Sequence, residues 1–115
     1  MSSLDRLTHM SIEEVQRELR AFVAEREWGQ FHSPENLAKS ISIESGELLE
    51  RFQWGAAFDE EGVREELADV LTYCLLLADA IDTDPLEVVR AKLQKTRLKY
   101  PIEKARGRSD RYDRL

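Results

Sequence analysis

The sequence predicts an all-α protein: a four-helix bundle module that oligomerises through its helices. Four segments carry apolar residues at three- and four-residue spacing, each preceded by a helix-start signal or a break. No segment alternates apolar and polar residues as a half-buried strand would, and there is no internal repeat or low-complexity run. One helix, from Val70 to Ile81, is apolar nearly all round. Such a helix must be buried on more than one side. Four helices of this size do not easily cover it alone, so a homo-oligomer is expected with this helix near the interface.

The first helix opens at Ser11, with Glu14 completing a capping box, and runs to about Glu27. Ile12, Val15, Leu19, Phe22 and Val23 form its apolar face. Trp28 to Pro34 is a break, carrying Gly29 and Pro34. Ser33 caps the second helix, with Pro34 at its favoured first position, and that helix runs to about Phe52. Gly55 to Gly62 is a connector, overlapping the start of the third helix near Glu60, which runs to about Ile81. Asp84 caps the fourth helix and Pro85 opens it; Leu86, Val88, Val89 and Leu93 follow. It ends near Leu98, and Tyr100-Pro101 breaks it.

Composition narrows the function classes. The chain of 115 residues is 42% hydrophobic and 35% charged, which suits one soluble domain with a modest core. No apolar run reaches the ~20 residues a membrane span needs, and the N-terminus lacks a signal-peptide core. A cytoplasmic protein with no membrane partner is expected. The single cysteine, Cys74, excludes an internal disulfide and reads as a buried small hydrophobe. Net charge is −6 but uneven: residues 90–115 hold ten basic against three acidic residues, and residues 1–89 hold seven against twenty. An acidic body argues against a nucleic-acid partner. Residues 1–107 read as the domain and 108–115 as a basic, solvated tail.

The chemistry lies in two acidic pairs, Glu44-x-x-Glu47 and Glu66-x-x-Asp69. Residues three apart share a helix face, so each pair points two carboxylates one way. At 100° per residue, Val63, Val70, Tyr73 and Leu77 fall within about 60° of Glu66, which puts Glu66 inside an apolar stripe. Asp69 lies about 60° to one side. Leu37, Ile41, Leu48 and Phe52 fall within about 80° of Glu44, placing it at the margin of the core face, with Glu47 one step outward and Glu50 solvated. Like charges at this spacing destabilise a helix by about 0.2–0.5 kcal/mol per pair, more when buried. Four carboxylates beside a core call for a cation. Oxygen-only ligands point to magnesium, manganese or calcium rather than zinc. The plain alternative is a set of ordinary surface glutamates.

A carboxylate-lined helical bundle is an established way to hold metals, and hard divalent cations bind phosphate oxygens and activate water. Lys92, Lys95, Arg97 and Lys99 can complement phosphate charge, although cations at a helix C-terminus also suit the dipole alone. Trp28, Phe31, His32 and Trp54 fall just outside helix ends, where aromatic rings can stack a base or simply pack at the core edge. Core-edge packing is the expectation for Phe31. His9 carries no signal. There is no Walker-type loop, no metal-spaced Cys/His cluster and no Ser/His/Asp arrangement.

The acidic signature resembles that of the MazG-like all-α nucleoside triphosphate pyrophosphohydrolases. Glu27-Trp-Gly-Gln-Phe-His-Ser-Pro-Glu-Asn-Leu37, Glu47-Leu-Leu-Glu-Arg-Phe-Gln-Trp54, Glu66-Leu-Ala-Asp-Val-Leu-Thr-Tyr73 and Lys99-Tyr-Pro101 resemble the dCTP pyrophosphatase branch. The resemblance spans residues from about 12 to 107. It implies a four-helix module that dimerises, often as a dimer of dimers, and magnesium (with manganese as the substitute) held by Glu44, Glu47, Glu66 and Asp69. It implies hydrolysis of a nucleoside triphosphate to monophosphate and pyrophosphate, a pool-sanitation role. It also implies that Trp28, His32, Trp54 and Tyr73 help form the base and sugar pocket, while Lys92, Thr96, Arg97, Lys99 and Tyr100 lie in the stretch that reaches phosphates and sugar. The branch often has Asn where this chain has Thr96, five residues before Pro101. A hydroxyl cannot make the two-sided amide contact, so base and sugar preference stay open. Two other readings stand beside this one. Against a phosphoribosyl-ATP pyrophosphohydrolase stand Trp28 and Trp54; against a non-enzymatic interaction module stands the intact acidic quartet.

Overall fold

The computed structural model describes residues 10–115; His9 and the residues before it lie outside the described part. Among the described residues every regular element is helical. Helix α1 spans Ile12–Glu25, and a 3-10 turn follows at Trp28–Phe31. Helix α2 spans Pro34–Glu50 and α3 spans Glu60–Ala80. Helix α4 spans Pro85–Lys99, followed by one-turn α5 at Ile102–Ala105 and a 3-10 turn at Tyr112–Arg114. None of these helices is long and apolar enough to cross a membrane.

The caps at Ser11, Ser33 and Asp84 form as the sequence predicts, and Asp59 adds one that it does not single out. The Ser11 hydroxyl accepts from the Glu14 N–H at 3.1 Å, and the Ser33 hydroxyl from the Asn36 N–H at 3.1 Å. Asp59 accepts from the Gly62 N–H, and Asp84 from the N–H groups of Leu86 and Glu87. Each satisfies a donor that a helix N-terminus leaves without an internal partner. The C-terminal ends shift by one or two residues: α1 stops at Glu25, α2 at Glu50 and α3 at Ala80, and α4 reaches Lys99. Glu27 takes the left-handed conformation (φ 54°), which swings the chain out of α1 and into the Trp28–Phe31 turn. That conformation costs a non-glycine residue about 1 kcal/mol.

The chain forms two compact units, one ending at Asp82 and one running Thr83–Leu115. In the first, α2 and α3 pack along their length as an antiparallel hairpin: Arg51 at the end of α2 meets Glu66 and Gly62 near the start of α3. Phe52 and Phe58 close the connection, with ring centroids 5.0 Å apart. Helix α1 packs on the Trp28–Phe31 turn and on α3. Leu37, 1% exposed, is the most deeply buried large side chain, and Ala78 is also buried. Gln16, 5% exposed, occupies the buried side of α1, where the expected Ile12 is left half-exposed. Its amide donates to Asp79 Oδ1 at 3.4 Å, and Arg20 grips the same carboxylate through two 3.0 Å contacts. A polar tie therefore completes the α1–α3 contact.

Two expectations are corrected. Cys74 is exposed, because it shares a side of α3 with Leu67 and Leu71 that neither α1 nor α2 covers. Phe31 is exposed rather than packed at the core edge, because the short turn aims Trp28, not Phe31, at Phe22. In the second unit the basic C-terminal stretch folds back on itself. Tyr112 donates its N–H to the Tyr100 hydroxyl at 3.2 Å, and the Lys99 ammonium sits 4.8 Å from the centre of the Tyr112 ring.

Leu37 anchors the α2 side of the hairpin, so Leu37→Ala should cost about 2–5 kcal/mol of stability. Urea unfolding checks this as a lower midpoint at unchanged slope.

Candidate metal centre and adjoining cavity

The hairpin brings the two acidic pairs to one point. Glu44 and Glu47 come from α2, Glu66 and Asp69 from α3. One carboxylate oxygen from each lies within 4.8 Å of every other. The burial follows the helical phase: Glu44 and Glu66 are half-buried, Glu47 and Asp69 exposed, and Glu50 exposed. The inner pair therefore faces the helix contact, and the outer pair faces solvent.

Oxygens Glu44 Oε2 and Glu66 Oε2 are buried without a hydrogen-bond partner. A buried acceptor with no donor costs about 1–3 kcal/mol, more when charged. Two such oxygens within one ring of carboxylates is the arrangement a hard cation satisfies, since it supplies charge and takes several oxygen ligands at once. The residues present fit a metal. Without one, the crowded charges raise the cluster's affinity for a proton. The Glu47 carboxyl is pushed up to about 7 from its ordinary 4.5, first by a hydrogen bond shared with Glu44 and by the Glu44 charge, then by desolvation and by Glu66. The Glu66 Oε1 oxygen is met by Arg51 Nη2 at 3.1 Å.

Beside the carboxylates lies a cavity of about 130 Å³. Leu19, Phe22 and Val23 of α1, Trp28 and His32, and Asp69, Thr72, Tyr73 and Leu76 of α3 line it. Phe22 and Trp28 meet edge to face, with centroids 5.5 Å apart, giving it an aromatic wall. Asp69 belongs to both the carboxylate ring and the cavity, so the two adjoin. A larger open groove of about 490 Å³ lies on the other side of His32, against Arg20, Gln30 and Asp79, and touches none of the four carboxylates.

The residues singled out in the sequence divide accordingly. Glu44, Glu47, Glu66 and Asp69 come together, and Trp28, His32 and Tyr73 come together beside them. Trp54 does not join: it stands 92% exposed on the α2–α3 connection. Lys92, Thr96, Arg97, Lys99 and Tyr100 lie in the second unit, on α4 and its C-cap. There the Thr96 hydroxyl donates to the Lys92 carbonyl at 3.0 Å, one turn back on its own helix. Sequence reasoning passed over Phe22, Leu19 and Thr72 as cavity walls, and Arg51 as a partner of Glu66. Phe22 read as core because a helical apolar stripe does not distinguish a packed side chain from one that walls a cavity.

The profile of the MazG-like family matches residues 39–115, which include both acidic pairs. The chain belongs to the MazG-like family. Among curated proteins, it is 36% identical over 117 residues to the dCTP pyrophosphatase 1 of Bos taurus, covering 91% of this chain and 68% of that protein. It is 36% identical over 115 residues to the dCTP pyrophosphatase 1 of Homo sapiens, with the same coverage. Among solved structures, it superimposes with a TM-score of 0.73 on a pyrophosphatase from Archaeoglobus fulgidus, at 46% identity, over 81% of this chain and 94% of that one. The all-α architecture expected from the sequence is thus that of a MazG-like module.

The raised Glu47 carboxyl gives this MazG-like site a pH signature with a definite sign. A folded-state value above the unfolded one adds stability that is fully present below about 4.5 and is lost as pH rises through about 7. Chelator-treated protein should therefore lose melting temperature across that window, and Glu47→Gln should lose less. Parallel curves for the two would remove Glu47 as the titrating group.

Proposed function

We propose that this chain is a divalent-cation-dependent nucleoside triphosphate pyrophosphohydrolase. Its substrates on this reading are deoxynucleoside triphosphates, with a pyrimidine such as dCTP or a modified analogue preferred, and its role is nucleotide-pool sanitation. The observation that carries the reading is the sharing of Asp69: a carboxylate ring suited to a cation and an aromatic cavity suited to a flat base meet at one side chain. The relatives named dCTP pyrophosphatase support the substrate class.

Glu44, Glu47, Glu66 and Asp69 would hold the cation, with magnesium the natural choice for an all-oxygen site that also binds phosphate and manganese its substitute. Once bound, such an ion neutralises phosphate charge and lowers the pKa of water. The chain's own residues do the rest. Trp28 and Tyr73 hold the base between ring faces, with His32 at the cavity wall. Water adds to phosphorus at the α–β anhydride, the bridging P–O bond breaks, and the electron pair leaves with the pyrophosphate. Glu47, on the solvent-facing side of the ring, is placed to take the proton from that water. Lys92, Arg97, Lys99, Tyr100 and Thr96 are assigned to the triphosphate and sugar, and Trp54 to the base and sugar pocket.

The working form on this reading is a homodimer or homotetramer. Its support is the side of α3 carrying Leu67, Leu71 and Cys74, left exposed while other sides of the helix meet α1 and α2.

The test is incubation with each canonical dNTP and NTP plus Mg²⁺, reading pyrophosphate against orthophosphate. Pyrophosphate release with an unequal base profile is expected; orthophosphate alone, or no release beside intact metal binding, defeats the proposal. Glu47→Gln should lower kcat by roughly 10²–10⁴-fold while the far-ultraviolet helical signal is kept. Asp69→Asn should weaken cation binding measured by calorimetry. Trp28→Ala should raise KM for the preferred nucleotide by roughly tenfold with a smaller change in kcat. An unchanged KM would take Trp28 out of the base pocket.

A further inference from the structure

Arg51 is the C-cap of α2, and its guanidinium crosses to α3, where Nη2 lies 3.1 Å from Glu66 Oε1. The pair is largely sheltered on the acidic side: the Glu66 side chain is 14% exposed and that of Arg51 38%. The guanidinium has a seat of its own. Gly62 is buried in the first turn of α3, and a Cβ placed there would stand 2.6 Å from Arg51 Nη1 and 2.8 Å from its Cζ. The same Cβ would stand 2.9 Å from Asp59 Oδ2, so a side chain at position 62 would press on both the guanidinium and the carboxylate that caps α3. Among the described residues, Arg51 is the basic side chain that forms an ion pair with the carboxylate ring.

The chemistry of this contact opposes the role assigned to Glu66. A cation in the ring needs Glu66 as an oxygen ligand; Oε2 is open to it, while the guanidinium holds Oε1 of the same carboxylate and withdraws its charge. The ion also brings positive charge toward a fixed positive charge, so the two compete electrostatically.

We infer that Arg51 is an internal counter-ion that competes with the divalent cation for Glu66, and so sets the cation concentration at which the centre loads. The inference rests on the metal-site reading above. Arg51 is on this account a positioning residue. It neutralises part of the ring in the metal-free protein and, by its fixed charge beside Glu66, opposes the ion that takes the open Oε2. Gly62 is the device that admits it.

The sign of the effect separates this from a structural role. Damage to the hairpin would weaken cation binding. Removal of a competitor strengthens it. Calorimetric titration of Mg²⁺ into the chelator-treated full chain is the experiment, with thermal melts taken with and without Mg²⁺. Because the pair is partly exposed, Arg51→Met should bind Mg²⁺ roughly three- to tenfold more tightly than wild type. It should melt lower without the ion and gain more on its addition. Gly62→Ala, which crowds the guanidinium without removing the charge from the chain but also crowds the Asp59 carboxylate that caps α3, should tighten Mg²⁺ binding by less, and its affinity is the readout where Arg51→Met does not fold. Arg51→Lys should restore affinity toward the wild-type value. Equal or weaker Mg²⁺ binding by Arg51→Met and Gly62→Ala, beside a wild type that binds, overturns this inference and leaves the metal site standing. A wild type that binds no Mg²⁺ overturns both.

Discussion

The α2–α3 hairpin is arranged around the contact that places four carboxylates within 4.8 Å of one another. The helices pack there despite that charge, and the surroundings explain how. Leu37 is buried on α2, and the Phe52–Phe58 pair closes the connection at the other end. Between them the repulsion is met by two local devices, the raised proton affinity of Glu47 and the Arg51 guanidinium on Glu66. Neither satisfies Glu44 Oε2 or Glu66 Oε2. The site is thus strained in the electrostatic sense while its backbone remains ordinary helix, which is how a preformed cation site differs from a loop that must fold around its ion.

Much of this geometry was legible in the sequence because it is local to one helix. The 100° phase fixes which of two carboxylates three residues apart turns inward, and Glu66 and Glu44 are the half-buried members as that phase requires. The caps were legible for the same reason, since a capping side chain bonds within three residues of itself. What the phase cannot contain is register between helices. The reach of Arg51 to Glu66 spans fifteen positions and depends on where α3 starts against the end of α2. Gly62 looked like part of a connector, although its missing side chain is a vacancy that Arg51 fills.

Polar burial was the other blind point. Gln16 sits on the inner side of α1 because Asp79 and Arg20 give its amide a partner, and an apolar-stripe reading assigns that side to Ile12 instead. The aromatic residues divided by mechanics rather than by composition. Trp28 is fixed by the left-handed Glu27 and by the edge of Phe22, whereas Trp54 follows a helix end with no comparable neighbour and stays in solvent. Both looked alike as tryptophans beside helix ends. Cys74 was misplaced because an all-round apolar helix has no preferred face in the sequence, so the side left bare by α1 and α2 had to be seen.

The division of labour between the walls of the site follows from α3. It supplies Glu66 and Asp69 to the carboxylate ring and Asp69, Thr72, Tyr73 and Leu76 to the cavity, so one helix sets the distance between the two. Its partners differ in kind. Helix α2 meets it with charge, and α1 with the Trp28–Phe31 turn meets it with aromatic and aliphatic surface. A change on α1 can therefore reshape the cavity while leaving the ring's oxygens in place. A change at Arg51 or Gly62 alters the ring's charge while leaving the cavity's lining untouched. Recognition of the base and affinity for the ion are separable in this fold, and Asp69 is the side chain at which they are joined.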